Sequence, residues 1–323
     1  GGTTGNPVNF TATTTPGVYT VRAQRSAAPA CPVMMSGSVS ITSDPLPSAI
    51  LAFSLSSATL CDQETVIGTV TGSESGVNYQ MFDQLDNVLS AVVAGDGGDI
   101  AIPSTAIGTG VTSIKVLATN GSTGCNVELT DTELITVNAN PTASVLSITG
   151  STEICAGDAT TLAVSITGGV SPYELNINNL AGVQTGYISA SDIAVSPGAT
   201  TVYSLISVKD ANGCESGGKS GTPTVTVQPL PIVYSVTGGG SYCSDVPVAQ
   251  GLGVSNSETG INYILVRDGS TDVETVGGTT GNPVNFTATT TPGVYTVRAQ
   301  RSAAPACPVM MSGSVSITSD PLP

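Results

Sequence analysis

GGTTGNPVNFTATTTPGVYTVRAQRSAAPACPVMMSGSVSITSDPLP, residues Gly1–Pro47, stands again without a substitution at residues 277–323. One copy opens the chain and the other closes it, so the sequence holds one full period and the beginning of the next. Packing constraints preserve pattern and volume rather than solvent-type positions such as Arg25-Ser26-Ala27, so the identity marks tandem duplication. Inside the stretch, Val294-Tyr-Thr-Val-Arg-Ala299 alternates, with Tyr295, Val297 and Ala299 on one face and Thr296 and Arg298 on the other. That period of two is the signature of a half-buried β-strand.

The rest of the chain follows the same code. β-Branched residues are abundant, 38 Gly and 20 Pro punctuate them, and no capped segment of helical period occurs, so the expected class is all-β. Proline seams recur at even intervals, at Asp44-Pro-Leu-Pro47, Asn138-Ala-Asn-Pro141, Gln228-Pro-Leu-Pro231 and Asp320-Pro-Leu-Pro323. The interval of about 90 residues, with turn signals between short strands, is the size of an immunoglobulin-like antiparallel β-sandwich. The expected organisation is a linear array: 1–47 as the second half of one module, then modules 48–140, 141–230 and 231–323. In the first full module, Asn126–Val137 reads as one closing strand, and in the third so does Val309–Thr318. Proline at each seam implies short, stiff connections.

A tyrosine recurs near the start of a central strand in each module: Tyr79 after Ser73-Glu-Ser-Gly-Val-Asn, Tyr263 after Ser257-Glu-Thr-Gly-Ile-Asn, and Tyr173 after Gly168-Gly-Val-Ser-Pro. With no Trp and four Phe in the chain, these tyrosines are expected to fill the cores, each hydroxyl reaching an edge partner.

Seven cysteines reduce to six per period, because Cys31 is the copy of Cys307. Two per module is the pattern of a disulfide framework in an oxidising compartment. The pairs expected are Cys61–Cys125, Cys155–Cys214 and Cys243–Cys307, with Cys31 lacking a partner within the chain. A geometric difficulty attends them. In a sandwich the first cysteine, before the second strand, and the second, after the penultimate strand, can fall at opposite ends. Either the first sits on a continuation of the opening strand beside the last one, or bonds join adjacent modules, Cys61 to Cys214 and Cys155 to Cys307. The intramodule set is the one expected here.

Chemistry is sparse. The chain has no histidine, which removes the usual general base and nucleophile triads, and no phosphate loop, dinucleotide fingerprint or calcium-hand loop occurs. No catalytic residue and no cofactor are expected. Asp96-Gly-Gly-Asp99 and Asp210-Ala-Asn-Gly213 are the best Ca²⁺ candidates, with Asp96 and Asp99 foremost, but two side chains supply too few oxygens, and polar turns are the plainer reading. Asn9, Asn120 and Asn285 match the N-glycosylation pattern, which arises often by chance in Thr-rich sequence. A net charge of −15 makes nucleic acid an unsuitable partner, and no run approaches the ~18 apolar residues of a membrane span.

Ile154-Cys-Ala-Gly157, Gly168-Gly-Val-Ser-Pro-Tyr173 and Asp210-Ala-Asn-Gly-Cys214, flanked by Gly76-Val-Asn-Tyr79 and Gly293-Val-Tyr-Thr-Val297, resemble repeats of giant surface proteins of Bacteroidota. That group includes adhesins of gliding motility exported by the type IX secretion system. The resemblance implies an extracellular, cell-surface stalk of immunoglobulin-like modules. The expected function is accordingly a structural filament or adhesin stalk, with a period of ~120 Å if each strand-length module spans ~40 Å. Its partners would be neighbouring repeats, identical chains in a fibre, or surface glycans and other cells. The alternatives are a glycan- or protein-binding surface module and a fibre subunit that assembles by strand exchange.

Overall fold

The computed structural model describes residues 1–321; Leu322 and Pro323, the end of the third expected module and of its seam, lie outside the described residues. All regular structure among the described residues is β, in short strands joined by Gly- and Asn-bearing turns. The chain divides into two compact units, residues 1–138 and 139–323.

In the first unit, residues 48–138 form a two-sheet sandwich. One sheet orders Ile100–Pro103, Ile67–Val70 and Phe53–Leu55 side by side. The other is built on the long pair Val77–Asp83 and Ser113–Asn120. Alternation places Tyr79 and Met81 against Val116 and Ala118 on the inner face of the second sheet, and Phe53, Val70 and Ile102 close over them from the first. Residues 1–47 contribute only two short ladders, Gly17–Tyr19 with Val39–Ile41 and Arg22–Ala23 with Val33–Met34.

The second unit holds two sandwiches, each with its own core. In the first, Leu162, Val164 and Leu146 on Thr160–Gly168 and Pro141–Ile148 meet Leu175, Ile177 and Val208 from the facing sheet. In the second, Ile261–Arg267 and Gly293–Arg301 form the central pair of a six-stranded sheet. Its inner residues Tyr263, Leu265, Tyr295 and Val297 pack on Leu252, Val254, Val284 and Phe286 of the other sheet. The alternation of Val294–Ala299 is kept residue by residue: Tyr295, Val297 and Ala299 are buried, and their neighbours are not.

Two expected strands are not continuous. Asn126–Val137 is three pieces, Asn126–Glu128, Glu133–Leu134 and Thr136–Asn138. The break occurs where Asp131 turns away to accept the Phe53 N–H at 3.0 Å while Thr130 donates its N–H to the Ala49 carbonyl, so the segment serves both sheets in turn. Val309–Thr318 divides likewise into Val309–Met310 and Val315–Asp320. Each sandwich also carries a parallel ladder that alternation does not reveal: Thr59–Cys61 with Thr136–Asn138, Glu153–Cys155 with Thr224–Gln228, and Gly240–Cys243 with Val315–Asp320.

Candidate functional site

The three parallel ladders place the first cysteine of every sandwich at one defined point. Each ends its short strand opposite the last strand of its own sandwich: Cys61 opposite Asn138, Cys155 opposite Gln228, Cys243 opposite Asp320. The next residue continues the ladder, with the N–H groups of Asp62, Ala156 and Ser244 donating to the carbonyls of Asn138, Gln228 and Asp320 at 2.8, 2.9 and 3.0 Å. The first cysteine therefore marks the end of the sandwich where the chain leaves it.

The second cysteine lies at the other end. Cys125, Cys214 and Cys307 sit in the turns that follow Ser113–Asn120, Leu205–Lys209 and Gly293–Arg301. The Asn120 N–H closes its turn on the Cys125 carbonyl at 2.8 Å, and the Asp210 N–H closes on that of Cys214 at 3.0 Å. In the third sandwich, antiparallel pairing of Gly293 with Ile317 puts the exit beside the start of Gly293–Arg301, a full strand away from Cys307.

This geometry overturns the intramodule disulfides. Cys155 is bonded to Cys307 across consecutive sandwiches of the second unit, with a Cα–Cα distance of 5.4 Å, within the reach of a disulfide. Cys31, Cys125 and Cys243 are thiols. None of Cys61–Cys125, Cys155–Cys214 and Cys243–Cys307 is formed. The physical reason is the strand length separating the two cysteines of a sandwich. The first cysteine does lie on a continuation of the opening strand beside the last one, and that position presents Cys155 to the next sandwich.

The tyrosines are structural. Tyr79 and Tyr263 are fully buried and Tyr173 nearly so. The hydroxyls of Tyr79 and Tyr263 accept the N–H of the residue five places earlier, Glu74 at 2.9 Å and Glu258 at 3.1 Å. Tyr173 instead donates to the Gly168 carbonyl at 2.9 Å. Burial pushes the pKa of Tyr79 and Tyr263 above the ordinary phenol value, so both stay protonated through the physiological range. Gly95 and Gly278 lie close against these turns. A Cβ there would come within 2.3 Å of the Glu74 carbonyl oxygen or 2.5 Å of that of Glu258.

The acidic loops are occupied by their own backbone. Asp96 accepts the Gly98 N–H at 2.9 Å and Asp99 accepts the Gly72 N–H at 2.9 Å. Asp210 accepts N–H groups from Val170, Asn212 and Cys214. Among the described residues no three acidic or sulfur side chains gather as a metal would require. Asn9 and Asn285 are exposed, while Asn120 uses its side-chain oxygen to cap Ser122 and Thr123. A polar hollow of about 770 Å³ beside Asn178, Asn179, Ser196 and Thr200 includes no charged side chain.

Several apolar residues of 1–47 are exposed where their copies are buried. Residues 1–47 expose Phe10 at 70%, Met35 at 53% and Val21 at 41%, whereas their copies Phe286, Met311 and Val297 are 5%, 4% and 0% exposed. Val8, Phe10, Val21, Ala23 and Met35 line one open groove of about 660 Å³.

No family model matches this chain, and no curated protein matches it in sequence. Among solved structures, a four-domain ectodomain fragment of ICAM-5 (domains D1–D4) is similar at 14% identity over 83% of this chain and 76% of that one, with a TM-score of 0.38. The fibronectin(III)-like modules of Clostridium thermocellum CbhA match at 10% identity over 55% of this chain and 95% of theirs, TM-score 0.32. Domains A168–A170 of titin match at 11% identity over 83% and 96%, TM-score 0.29. Overlays this loose carry no inference about what the chain does.

Proposed function

We propose that this chain is a length of an extracellular filament or adhesin stalk, built from the modules 48–140, 141–230 and 231–323 with 1–47 as half of a further one. The observation that carries the reading is the Cys155–Cys307 bond. It joins the exit end of one sandwich to the entry end of the next, so that tension crosses the seam through a covalent bond as well as through the linker. Disulfides of this kind persist in oxidising compartments, which supports an extracellular setting. Together with the sequence signatures of Bacteroidota surface repeats, that setting supports export by a type IX route to the cell surface. The chain supplies no histidine and gathers no reactive cluster among its described residues, which favours a mechanical over an enzymatic role.

The test is mechanical. Cys155 and Cys307 are separated by 152 residues, which would span on the order of 500 Å if released at ~3.3–3.6 Å per residue. Pulling the chain by its ends in oxidising buffer should leave that length hidden, and adding a reductant should release it. Release of the whole length without reductant would refute the stalk reading.

A further inference from the structure

The geometry points to a latch on the proline seam of the second unit. We propose that the turn Ser257-Glu-Thr-Gly260 fixes the angle between that unit's two sandwiches, the Glu258 carboxylate holding the first residue after the seam. The inference rests on the stalk reading and deepens it, since a stalk keeps its line under load only if its seams are held.

The seam is stiff by composition, up to one point. The Ala156 N–H donates to the Gln228 carbonyl at 2.9 Å, so the earlier sandwich holds the chain as far as Gln228. Pro229 and Pro231 then lock their own φ at about −65° and push Gln228 and Leu230 toward extended backbone. The first N–H after Pro231 is that of Ile232, and it donates to Glu258 Oε2 at 2.7 Å. Without that bond, the chain next attaches to the third sandwich at Tyr234. There the N–H meets Met311 Sδ at 3.3 Å and the carbonyl takes the Ser312 N–H at 2.8 Å. The latch therefore removes the φ and ψ of Ile232 and Val233, both exposed, from the hinge. Little else sets the angle. Among the described residues the two sandwiches share no hydrophobic cluster. Residues 150–153 face Ala304 and Pro305 across an open hollow of about 510 Å³. A single disulfide limits separation but leaves torsional freedom about its side-chain bonds.

The rest of the motif aims the carboxylate. Ser257 is fully buried, and its hydroxyl accepts the Thr279 N–H at 3.0 Å. The Tyr263 hydroxyl holds the Glu258 N–H. Gly260, left-handed at φ 84°, accepts the Ser302 N–H at 2.9 Å, from the turn that leads to Cys307. Latch and disulfide thus stand on one end of the third sandwich.

The same parts recur after the other Pro-Leu-Pro seam that precedes a sandwich. Following Pro47, the Ser48 N–H donates to Glu74 Oε2 at 2.8 Å, and Tyr79 holds the Glu74 N–H. Gly76, at φ 82°, accepts the Gly121 N–H at 2.8 Å. The sandwich 141–230 has neither part. Its seam reads Asn138-Ala-Asn-Pro141, Gly168-Gly-Val-Ser-Pro-Tyr173 replaces the motif, and Pro141 is drawn into the first sheet opposite Gly168. Seam and glutamate occur together and are absent together.

The test follows backbone amides of the full chain by NMR, with Cys155–Cys307 intact in every variant. Glu258→Ala should speed hydrogen exchange of the Ile232 amide by roughly tenfold or more, while amides of Ile261–Arg267 exchange as before. Residual dipolar couplings from the two sandwiches should fit one alignment tensor in the native chain and two in Glu258→Ala. Glu258→Gln keeps an acceptor oxygen and should retain the single tensor. Glu74→Ala should release the Ser48 amide in the same way. Unchanged exchange at Ile232, one tensor in Glu258→Ala, or two tensors in the native chain would overturn the proposal. So would equal acceleration across Ile261–Arg267, because the glutamate would then hold the sandwich together rather than the seam. Such a failure leaves the pulling experiment untouched, since that depends on Cys155–Cys307 alone.

Discussion

Residues 1–47 and 277–321 are a controlled comparison inside one molecule: the same amino acids, in the same register, with and without a covering partner. The covered copy runs as one nine-residue strand, Gly293–Arg301, where the uncovered copy manages Gly17–Tyr19 and Arg22–Ala23. Val284–Thr289 is a strand, and its copy at residues 8–13 is not. The cysteine turn nonetheless keeps its left-handed residue in both, at φ 27° for Cys31 and 46° for Cys307. Turns and pairing register are therefore written locally, whereas strand length and burial are conferred by the 231–276 segment. This fits the contextual nature of β propensity, which measures packing against neighbours more than a backbone preference.

The pair also sets up its own tests. The largest difference should appear under trypsin, which finds the same bonds after Arg22 and Arg25 as after Arg298 and Arg301. The first two should be cut more than a thousandfold faster, because cleavage in the covered copy waits for the sandwich to open. Comparable rates would mean the cover contributes little. Phe286→Asp should cost the second unit about 4 kcal/mol in denaturant unfolding, through a lost core side chain and a buried charge, while Phe10→Asp costs nothing measurable. Cys307→Ser should lower the stability of that unit by about 3 kcal/mol, since it opens a loop of 152 residues. Cys31→Ser should leave the melting curve unchanged. The smallest expected effect is at Thr287, whose N–H and hydroxyl both reach the Glu274 carboxylate, at 2.7 and 3.0 Å. Thr287→Val should cost about 1 kcal/mol, and Thr11→Val should be silent.

Much of the fold could be read from local pattern. Alternation at Val294–Ala299 and the recurring Tyr79 and Tyr263 depend on period and residue type, and both survive in the structure. The choice between intramodule and intermodule disulfides was not legible, because it depends on which end of a sandwich each cysteine occupies. That is decided by Cys61, Cys155 and Cys243 pairing in parallel with the closing strands of their own sandwiches, most of a module away in sequence, and no local pattern reports such pairing. A usable signal was present in the spacing. Cys125, Cys214 and Cys307 each stand at almost the same interval before the next proline seam, long enough for a turn plus one full strand. That interval holds the second cysteine a strand's length from the exit where the first one sits. The break in Asn126–Val137 escaped for a related reason: its apolar residues alternate acceptably, and only the partner of Asp131 shows where the segment leaves Ser113–Asn120 before rejoining it at Glu133–Leu134.

The Cys155–Cys307 bond has a consequence beyond load and stability. Every peptide bond from residue 156 to residue 306 lies inside the loop it closes. A single enzymatic cut anywhere in that span, including the proline seam at Gln228–Pro231, leaves both pieces attached to each other. The second unit therefore stays in one piece after a single nick in that span, and severing it there takes two cuts or a reductant.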